Sequence, residues 1–457
     1  MARPRSSRTQ TAASRATSTG PELKPGVLIT FRPNTIDAGV ANLRNVAGTS
    51  QVAFAADFAD NAVNLAQIGS GDVIVFNSLG VAVASVDPDQ AASISAMVAD
   101  DSAVRSVEPE PIFFASSDGL SPDASTYLRG YRDAVNHLYE QLTGEPNTQI
   151  MGALAGETFQ DGSSSTWGLQ AARLLESDLS GRGVKVAVLD TGLDLDHPDF
   201  QNRLITSQSF IPNQEVQDEN GHGTHCIGTS CGPRQPVTDR RYGIAFEAEI
   251  FAGKVLSNQG SALGRSTLAG IEWAVQNGCH LISMSLGARV GVNEPFLNAM
   301  EAVARAALRN NALIVAAAGN HSDRSRGKIE PVNSPANCPS IMAVTAVDRF
   351  LRVANFSCGG INDDGHVDIA GPGVDVFSSA PEPAPPRQPP FFRQWSTRYD
   401  TISGTSMATP HVAGVAALLR QAHPELDAAE IWRLLTATAR SMSLPARDVG
   451  VGLVQLA

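Results

Sequence analysis

The run Val184-Lys-Val-Ala-Val-Leu-Asp190-Thr-Gly192 is almost wholly apolar until it reaches an aspartate and a glycine turn. Three similar short runs follow it: Ile250–Val255, His280–Ser285 and Ala312–Ala317. Helical patterns lie between these runs, near 266–276 and 294–309. Apolar strands that alternate with helices predict an α/β fold with a mostly parallel central sheet covered on both faces. In such sheets, functional residues collect at the carboxyl ends of the strands. We therefore look for the active site there.

Composition excludes several classes of function. The chain has 457 residues, of which 42% are hydrophobic, and its 34 basic and 46 acidic residues give a net charge of −12. This acidic balance argues against a nucleic-acid partner and against binding to an anionic membrane surface. No apolar run reaches the roughly 18 residues that a transmembrane helix needs. The five cysteines include no CxxC pair, which argues against a zinc ribbon.

Composition and periodicity divide the chain into four segments: a disordered basic tail at 1–24, a small α+β unit at 25–115, a helical connector and linker at 116–164, and the α/β unit at 165–457. One amphipathic helix is predicted within the connector, at 125–142. The tail lacks the apolar stretch of a secretory signal, so we expect an intracellular location. An organelle transit peptide remains an alternative for the same tail.

Three side chains in the α/β unit are candidates for catalysis. Asp190 ends the first strand, His222 lies in the turn Asn220-Gly-His-Gly-Thr-His-Cys226, and Ser406 lies where Ser403-Gly-Thr-Ser406-Met-Ala-Thr-Pro410 opens an apolar helix. A serine nucleophile needs a base to take its proton, and the base needs a carboxylate to orient it. Asp-Thr-Gly also occurs in aspartic proteases, but those need a second such triplet, which this chain lacks.

These three motifs, in the order Asp, His, Ser, resemble the signatures of the subtilisin family of serine proteases, the subtilases. The resemblance extends from Trp167 to the C-terminus. It implies a subtilisin-like three-layer fold and a serine endopeptidase that cleaves extended polypeptides through an acyl-enzyme, with no cofactor required for the chemistry. A non-catalytic or self-inhibited peptide-binding protein on the same fold is the alternative.

The resemblance also assigns residues around the triad. Asn320, in Ala316-Ala-Ala-Gly-Asn320, matches the asparagine that stabilises the oxyanion together with the N–H of the nucleophile. Two segments match the edges that bind the substrate as an added strand: Gly260, Ser261 and Ala262 on one side, and Ser285, Leu286 and Gly287 on the other. The floor of the specificity pocket, formed by Ala316–Gly319 and residues after Asn320, predicts an apolar or broad preference.

The resemblance raises the question of a structural metal. Asp199 matches a position that ligates calcium in many subtilases. The loop expected to supply further ligands, 232–242, carries three arginines and one carboxylate. The positive charge of the arginines opposes the binding of a cation. A salt bridge or turn role for Asp199 is therefore favoured over calcium. Cys226 is expected to face inward beside the active site as a small buried hydrophobic residue.

Residues 25–115 resemble the propeptide, or inhibitor, domain of subtilases, a small ferredoxin-like α+β domain. The resemblance implies a zymogen in which this domain assists folding and then lies over the cleft as an intramolecular inhibitor. The processing site is expected near 113–117 or within 156–165. The partners implied are therefore polypeptide substrates and the chain's own N-terminal domain.

Overall fold

The computed structural model describes residues 25–47, 51–58, 62–65, 72–98, 103–115, 158–382 and 398–456. The tail at 1–24, the connector helix predicted at 125–142 and most of the linker lie outside the described residues. Among those described, no helix combines the length and apolar character needed to cross a bilayer.

Over its described residues, the N-terminal unit consists of one sheet and two α-helices. Its sheet has the order β2-β3-β4-β1-β5, and all neighbours are antiparallel except β2 and β3. The elements are β1 Val27–Phe31, α1 Ile36–Ala47, β2 Val52–Phe54, β3 Val73–Phe76, β4 Val81–Ala84, α2 Pro88–Ser95 and β5 Val104–Pro109. Apart from the short edge strand β2, this βαββαβ order is that of the ferredoxin-like fold expected from the sequence.

A last strand of the N-terminal unit, β6 Ile112–Ala115, leaves this sheet and joins the large unit. It lies between two short strands of the large unit, β10 Ser261–Leu263 and β12 Leu286–Gly287, and pairs antiparallel with both. The N-terminal unit therefore ends inside the large unit rather than beside it.

The large unit is built on a seven-stranded sheet of order β15-β14-β13-β11-β7-β9-β8, in which every pairing is parallel. Its strands are β7 Lys185–Asp190, β8 Ile205–Ser209, β9 Glu249–Lys254, β11 Leu281–Met284, β13 Leu313–Ala317, β14 Met342–Val347 and β15 Ile369–Pro372. A separate antiparallel hairpin is formed by β16 Val376–Ser379 and β17 Tyr399–Ile402.

Helices cover both faces of the large sheet. The helices of the large unit are α3 Trp167–Ala171, α4 His222–Cys231, α5 Gly264–Gln276, α6 Asn298–Arg309, α7 Thr405–Ala422, α8 Ala428–Thr438 and α9 Ala446–Val449. One core cluster joins the sheet to α5 and α6, and the other joins it to α4, α7 and α8. Alternate residues of each strand enter opposite clusters, as with Val188 and Leu189 of β7. The result is the predicted three-layer arrangement with the sheet buried on both faces.

The observed elements differ from the predicted ones mainly at their ends. The helix predicted over 294–309 begins at Asn298. In the N-terminal unit, a capping box between Asp87 and Gln90 sets the start of α2. All five cysteines are buried and unpaired.

Two acidic residues of the N-terminal unit contact the starts of α5 and α6. Glu108 lies within β5, and Glu110 directly follows it. Glu110 accepts hydrogen bonds from the backbone and side-chain nitrogens of Arg265, the second residue of α5. Both side chains of this ion pair are almost wholly buried. Glu108 accepts from the backbone N–H groups of Asn298 and Ala299, at 2.8 Å each. Each carboxylate thus satisfies N–H groups that a helix start leaves unpaired.

Candidate active site

Asp190 and His222 meet at the carboxyl edge of the sheet, where the sequence placed them. Asp190 is the last residue of β7, and His222 is the first residue of α4. His222 Nδ1 lies 2.7 Å from Asp190 Oδ1, and both side chains are buried. Because a carboxylate only accepts hydrogen bonds, Nδ1 carries the proton, which leaves Nε2 as the basic atom of a neutral ring.

The turn before His222 is held by Asp218, a residue that the sequence analysis did not single out. Asp218 accepts hydrogen bonds from the N–H of Gly221, the hydroxyl of Thr191 and both the N–H and hydroxyl of Thr224, at 2.7–2.9 Å. Gly221 has a φ of 97°, a conformation that glycine adopts at little cost. One buried carboxylate therefore ties the loop after Asp190 to the start of the helix that carries His222.

The electrostatic environment favours a charged His222. Burial alone lowers the pKa of His222, but the negative charge and hydrogen bond of Asp190 outweigh it and raise the pKa well above its ordinary value of 6.5. A protonated imidazole cannot accept a proton from serine. The pair is therefore competent as a base only above this raised pKa.

Ser406 is the second residue of α7 and has no exposed surface. Its hydroxyl donates to the carbonyl oxygen of Ser285 at 3.2 Å, and the Ser285 hydroxyl donates to the carbonyl of Ser406 at 2.8 Å. His222 Nε2 is buried and has no hydrogen-bond partner among the described residues. The structure thus brings Ser406 to the site without a hydrogen bond to His222. Catalytic hydrogen bonds commonly form or tighten only once substrate binds, so this arrangement is compatible with a pair of Ser406 and His222.

Asn320 lies next to Ser406 and is hydrogen-bonded to Thr405, the residue before Ser406. Its Oδ1 accepts from both the N–H and the hydroxyl of Thr405, each at 2.9 Å. Because a backbone N–H can only donate, these bonds identify the end of the amide that is oxygen. The amide nitrogen is then the end that can donate to an oxyanion, which is the role that the resemblance implies for this residue.

The predicted substrate edges lie on either side of the chain's own strand β6. The Ala115 N–H donates to the carbonyl of Gly260 at 2.8 Å, and the register pairs Ser261 and Ala262 with Phe114 and Phe113. On the other edge, Leu286 pairs with Ala115 and Gly287 with Phe114. The two edges therefore bind an extended segment as an added strand, the mode predicted for substrate. Ser285, immediately before this edge, contacts Ser406 as described above.

Cys226 faces inward at the site, as expected. Its Sγ lies 3.9 Å from His222 Nδ1 and 3.5 Å from the carbonyl oxygen of Ser406, so it packs between base and nucleophile. Among the described residues, the group whose atoms approach closely enough for shared metal binding is Asp190, His222 and Cys226. Burial raises the pKa of the Cys226 thiol, which favours the neutral, apolar form over a thiolate ligand.

The environment of Asp199 does not suit calcium. Oδ1 accepts from the N–H of Val237, and Oδ2 accepts from the hydroxyls of Tyr242 and Tyr399. Both carboxylate oxygens of Asp199 therefore accept hydrogen bonds from donors of the protein. Ca²⁺ would instead need six to eight oxygen ligands around it. We assign Asp199 to fastening the 232–242 loop, in agreement with the structural role favoured from the sequence.

Comparison with known proteins supports the same interpretation. The subtilase family profile matches residues 181–452. The chain is 36% identical over 321 residues to the Thermostable alkaline protease of Halalkalibacterium halodurans, covering 69% of this chain and 78% of the relative. It is 38% identical over 284 residues to Subtilisin Savinase of Lederbergia lenta, covering 61% and 93%. The solved structure of Sphericase matches with a TM-score of 0.53 and 28% identity, covering 64% of this chain and 98% of that one.

Proposed function

The chain belongs to the subtilase family and is a serine endopeptidase, and from this premise we propose that Asp190, His222 and Ser406 are its catalytic triad and that it is made as a self-processing zymogen. In this mechanism Ser406 attacks the scissile carbonyl, and His222 Nε2 takes the serine proton and returns it to the leaving amine. Asp190 keeps the proton on Nδ1 and stabilises the imidazolium. Asn320 and the N–H of Ser406 stabilise the oxyanion.

The observation that carries the zymogen proposal is the position of β6. Ile112–Ala115 lies between the two edges of the cleft and pairs with both. Phe113 is wholly buried, and Ser406 has no exposed surface. An extended segment in that position excludes any other polypeptide from the same hydrogen bonds. The proposal is further supported by Glu108 and Glu110, which bind the N-terminal unit to α5 and α6. The N-terminal unit then acts as intramolecular inhibitor, and polypeptides are the substrates.

Replacement of the nucleophile tests the mechanism. Ser406→Ala should lower kcat for peptide hydrolysis by a factor on the order of 10⁶ and leave the chain at full length during storage. A fluorophosphonate should label the wild-type chain at Ser406 and fail to label the variant, as shown by peptide mass mapping. Ser230→Ala is the matched control, because it also removes a buried serine hydroxyl, one that donates to carbonyl groups of α4 itself. Normal hydrolysis by Ser406→Ala would eliminate the proposed triad.

A further inference from the structure

The two residues before β6 continue its contact with the large unit, beyond the cleft edge and onto the start of α5. The Gly264 N–H, the first of this helix, donates to the carbonyl of Pro111 at 2.9 Å. Glu110 then accepts from the backbone N–H and from Nε of Arg265, at 2.8 and 2.9 Å. The large unit therefore contacts one uninterrupted segment, from Ala115 between the cleft edges back to Glu110 at the helix.

The start of α5 is built to bind a carboxylate. The guanidinium of Arg265 contacts both oxygens of Glu110, through Nε and Nη2. A planar fork of this kind matches the geometry of a carboxylate, and the N–H groups at a helix start also favour negative charge. The two side chains are 1% and 0% exposed. The chain's own inhibitory segment thus presents an acidic side chain to a matching cation.

Under the proposed function, Glu110 leaves with the N-terminal unit, whereas Arg265 stays in the mature enzyme. Arg265 directly follows the cleft strand, because β10 ends at Leu263 and α5 begins at Gly264. A substrate that pairs with β10 as β6 does will reach Arg265 if it extends along the same path. Its residue in the position of Glu110 lies five residues before the one in the position of Ala115, about 17 Å along an extended chain.

We propose that Arg265 is a specificity-determining residue of the mature enzyme and selects polypeptide substrates with an acidic side chain in the position of Glu110. This inference rests on the proposed function. The whole chain has a net charge of −12 and therefore repels acidic peptides in general. A preference for a carboxylate at one position only is thus the effect of a local cation, and it adds to whatever preference applies at the scissile bond.

Three peptides based on the chain's own sequence test the assignment. The first copies residues 109–120. The second has glutamine in place of Glu110, and the third exchanges Pro109 and Glu110, which moves the carboxylate by one residue without changing the composition. The processed wild-type enzyme should cleave the first with a kcat/KM about threefold or more above the other two. The gain should lie mainly in KM, because the contact is remote from the bond that is cleaved.

Two variants identify Arg265 as the source of this preference. In the first, Glu110→Gln is combined with Arg265→Gln, so that two amides replace the buried pair and no charge is left uncompensated in the precursor. Its processed enzyme should cleave the first and second peptides equally. Glu110→Gln alone is the matched control. Its processed enzyme retains Arg265 and should keep the preference of the wild type.

Equal cleavage of the first and second peptides by the wild type, or a preference retained without Arg265, would overturn the assignment. The wild-type comparison decides the question even if the double variant does not fold. Ratios measured with the peptides competing in one solution are independent of the fraction of active enzyme, and mass analysis of the products verifies that the same bond is cut. A wild-type chain that cleaves none of the peptides and resists fluorophosphonate would instead overturn the proposed function, and the specificity assignment with it.

Discussion

At the scale of single residues, the ion pair of Asp190 and His222 sets the pH range in which the proposed base can act. Asp190 lies 2.7 Å from His222 Nδ1 and raises the pKa of His222 above 6.5 despite burial. In the proposed mechanism the neutral ring is the base, and a raised pKa keeps the ring protonated to higher pH. We therefore expect activity to be lost as pH falls through the pKa of His222 in the folded enzyme.

We expect kcat/KM for an uncharged peptide to rise with pH as one proton is lost, with a midpoint above 6.5. Asp190→Asn removes the charge that opposes the effect of burial, so the midpoint should move to lower pH, and kcat should fall about 10⁴-fold because the wrong tautomer is favoured. A pH series of initial rates on both proteins measures the two effects. A midpoint that is the same with and without the Asp190 charge would contradict this account of the base.

The site residues predicted from the sequence do meet, but their detailed geometry depends on tertiary contacts. Because functional residues collect at the carboxyl ends of parallel strands, the sequence predicted the correct edge of the sheet for Asp190. The glycine turn pointed to His222, which lies opposite Asp190. The hydrogen bond from Ser406 to the carbonyl of Ser285 involves a backbone atom 121 residues away. No local pattern in the sequence reports such contacts.

At the scale of elements, the two units are joined by carboxylates at the starts of α5 and α6, and these two contacts differ in burial. Glu110 and Arg265 form a pair whose side chains are 0% and 1% exposed. Glu108 caps the more exposed start of α6 at Asn298. Loss of one partner from a buried ion pair is costly because the other charge remains without compensation.

Glu110→Ala should therefore weaken the association of the N-terminal unit by about 3–5 kcal/mol, and Glu108→Ala by only about 1 kcal/mol, the usual value of a helix cap. The measurement is thermal and urea unfolding of each variant in the Ser406→Ala background, where self-cleavage does not interfere. Limited digestion of the N-terminal unit by an added protease should rank the variants in the same order. Equal destabilisation by the two variants would show that the buried pair has no special role.

The large sheet was predictable in its centre and less so at its edge. The strands β7, β9, β11 and β13 are apolar runs separated by helices or turns, and the predicted ranges agree with the observed ones to within two residues at either end. Three strands of this sheet were not predicted: the edge strands β8 and β15, and β14 beside β15. For β15 the reason is that Ile369-Ala-Gly-Pro372 contains two residues that disfavour strands, and an edge position is where the sheet tolerates them. The hairpin of β16 and β17 joins segments separated along the chain, so its pairing depends on tertiary structure.

At the scale of the whole molecule, the chain combines an endopeptidase with a strand that fills its own cleft. The N-terminal unit contributes β6 as the centre of a three-stranded sheet whose other strands both belong to the large unit. Formation of the large parallel sheet requires many contacts between distant residues, which makes folding slow. In the proposed zymogen, the N-terminal unit binds α5, α6 and both cleft edges and so would stabilise that sheet as it forms. The same contacts would then inhibit the folded enzyme.

This arrangement predicts a lag in activity. Freshly folded wild-type chain should hydrolyse peptides slowly at first, because β6 competes for the same backbone hydrogen bonds as the substrate. The rate should rise in parallel with a shortened species that has lost the N-terminal unit, seen by electrophoresis and by N-terminal sequencing of the product. Glu110→Ala should shorten the lag, since weaker docking releases β6 earlier.

The Ser406→Ala chain, incubated alone, should stay at full length, which separates self-cleavage from a contaminating protease. Full activity from an uncut chain at the first time point would contradict inhibition by β6, and a stable, uncut and inactive wild-type chain would favour a permanent regulatory role for the N-terminal unit.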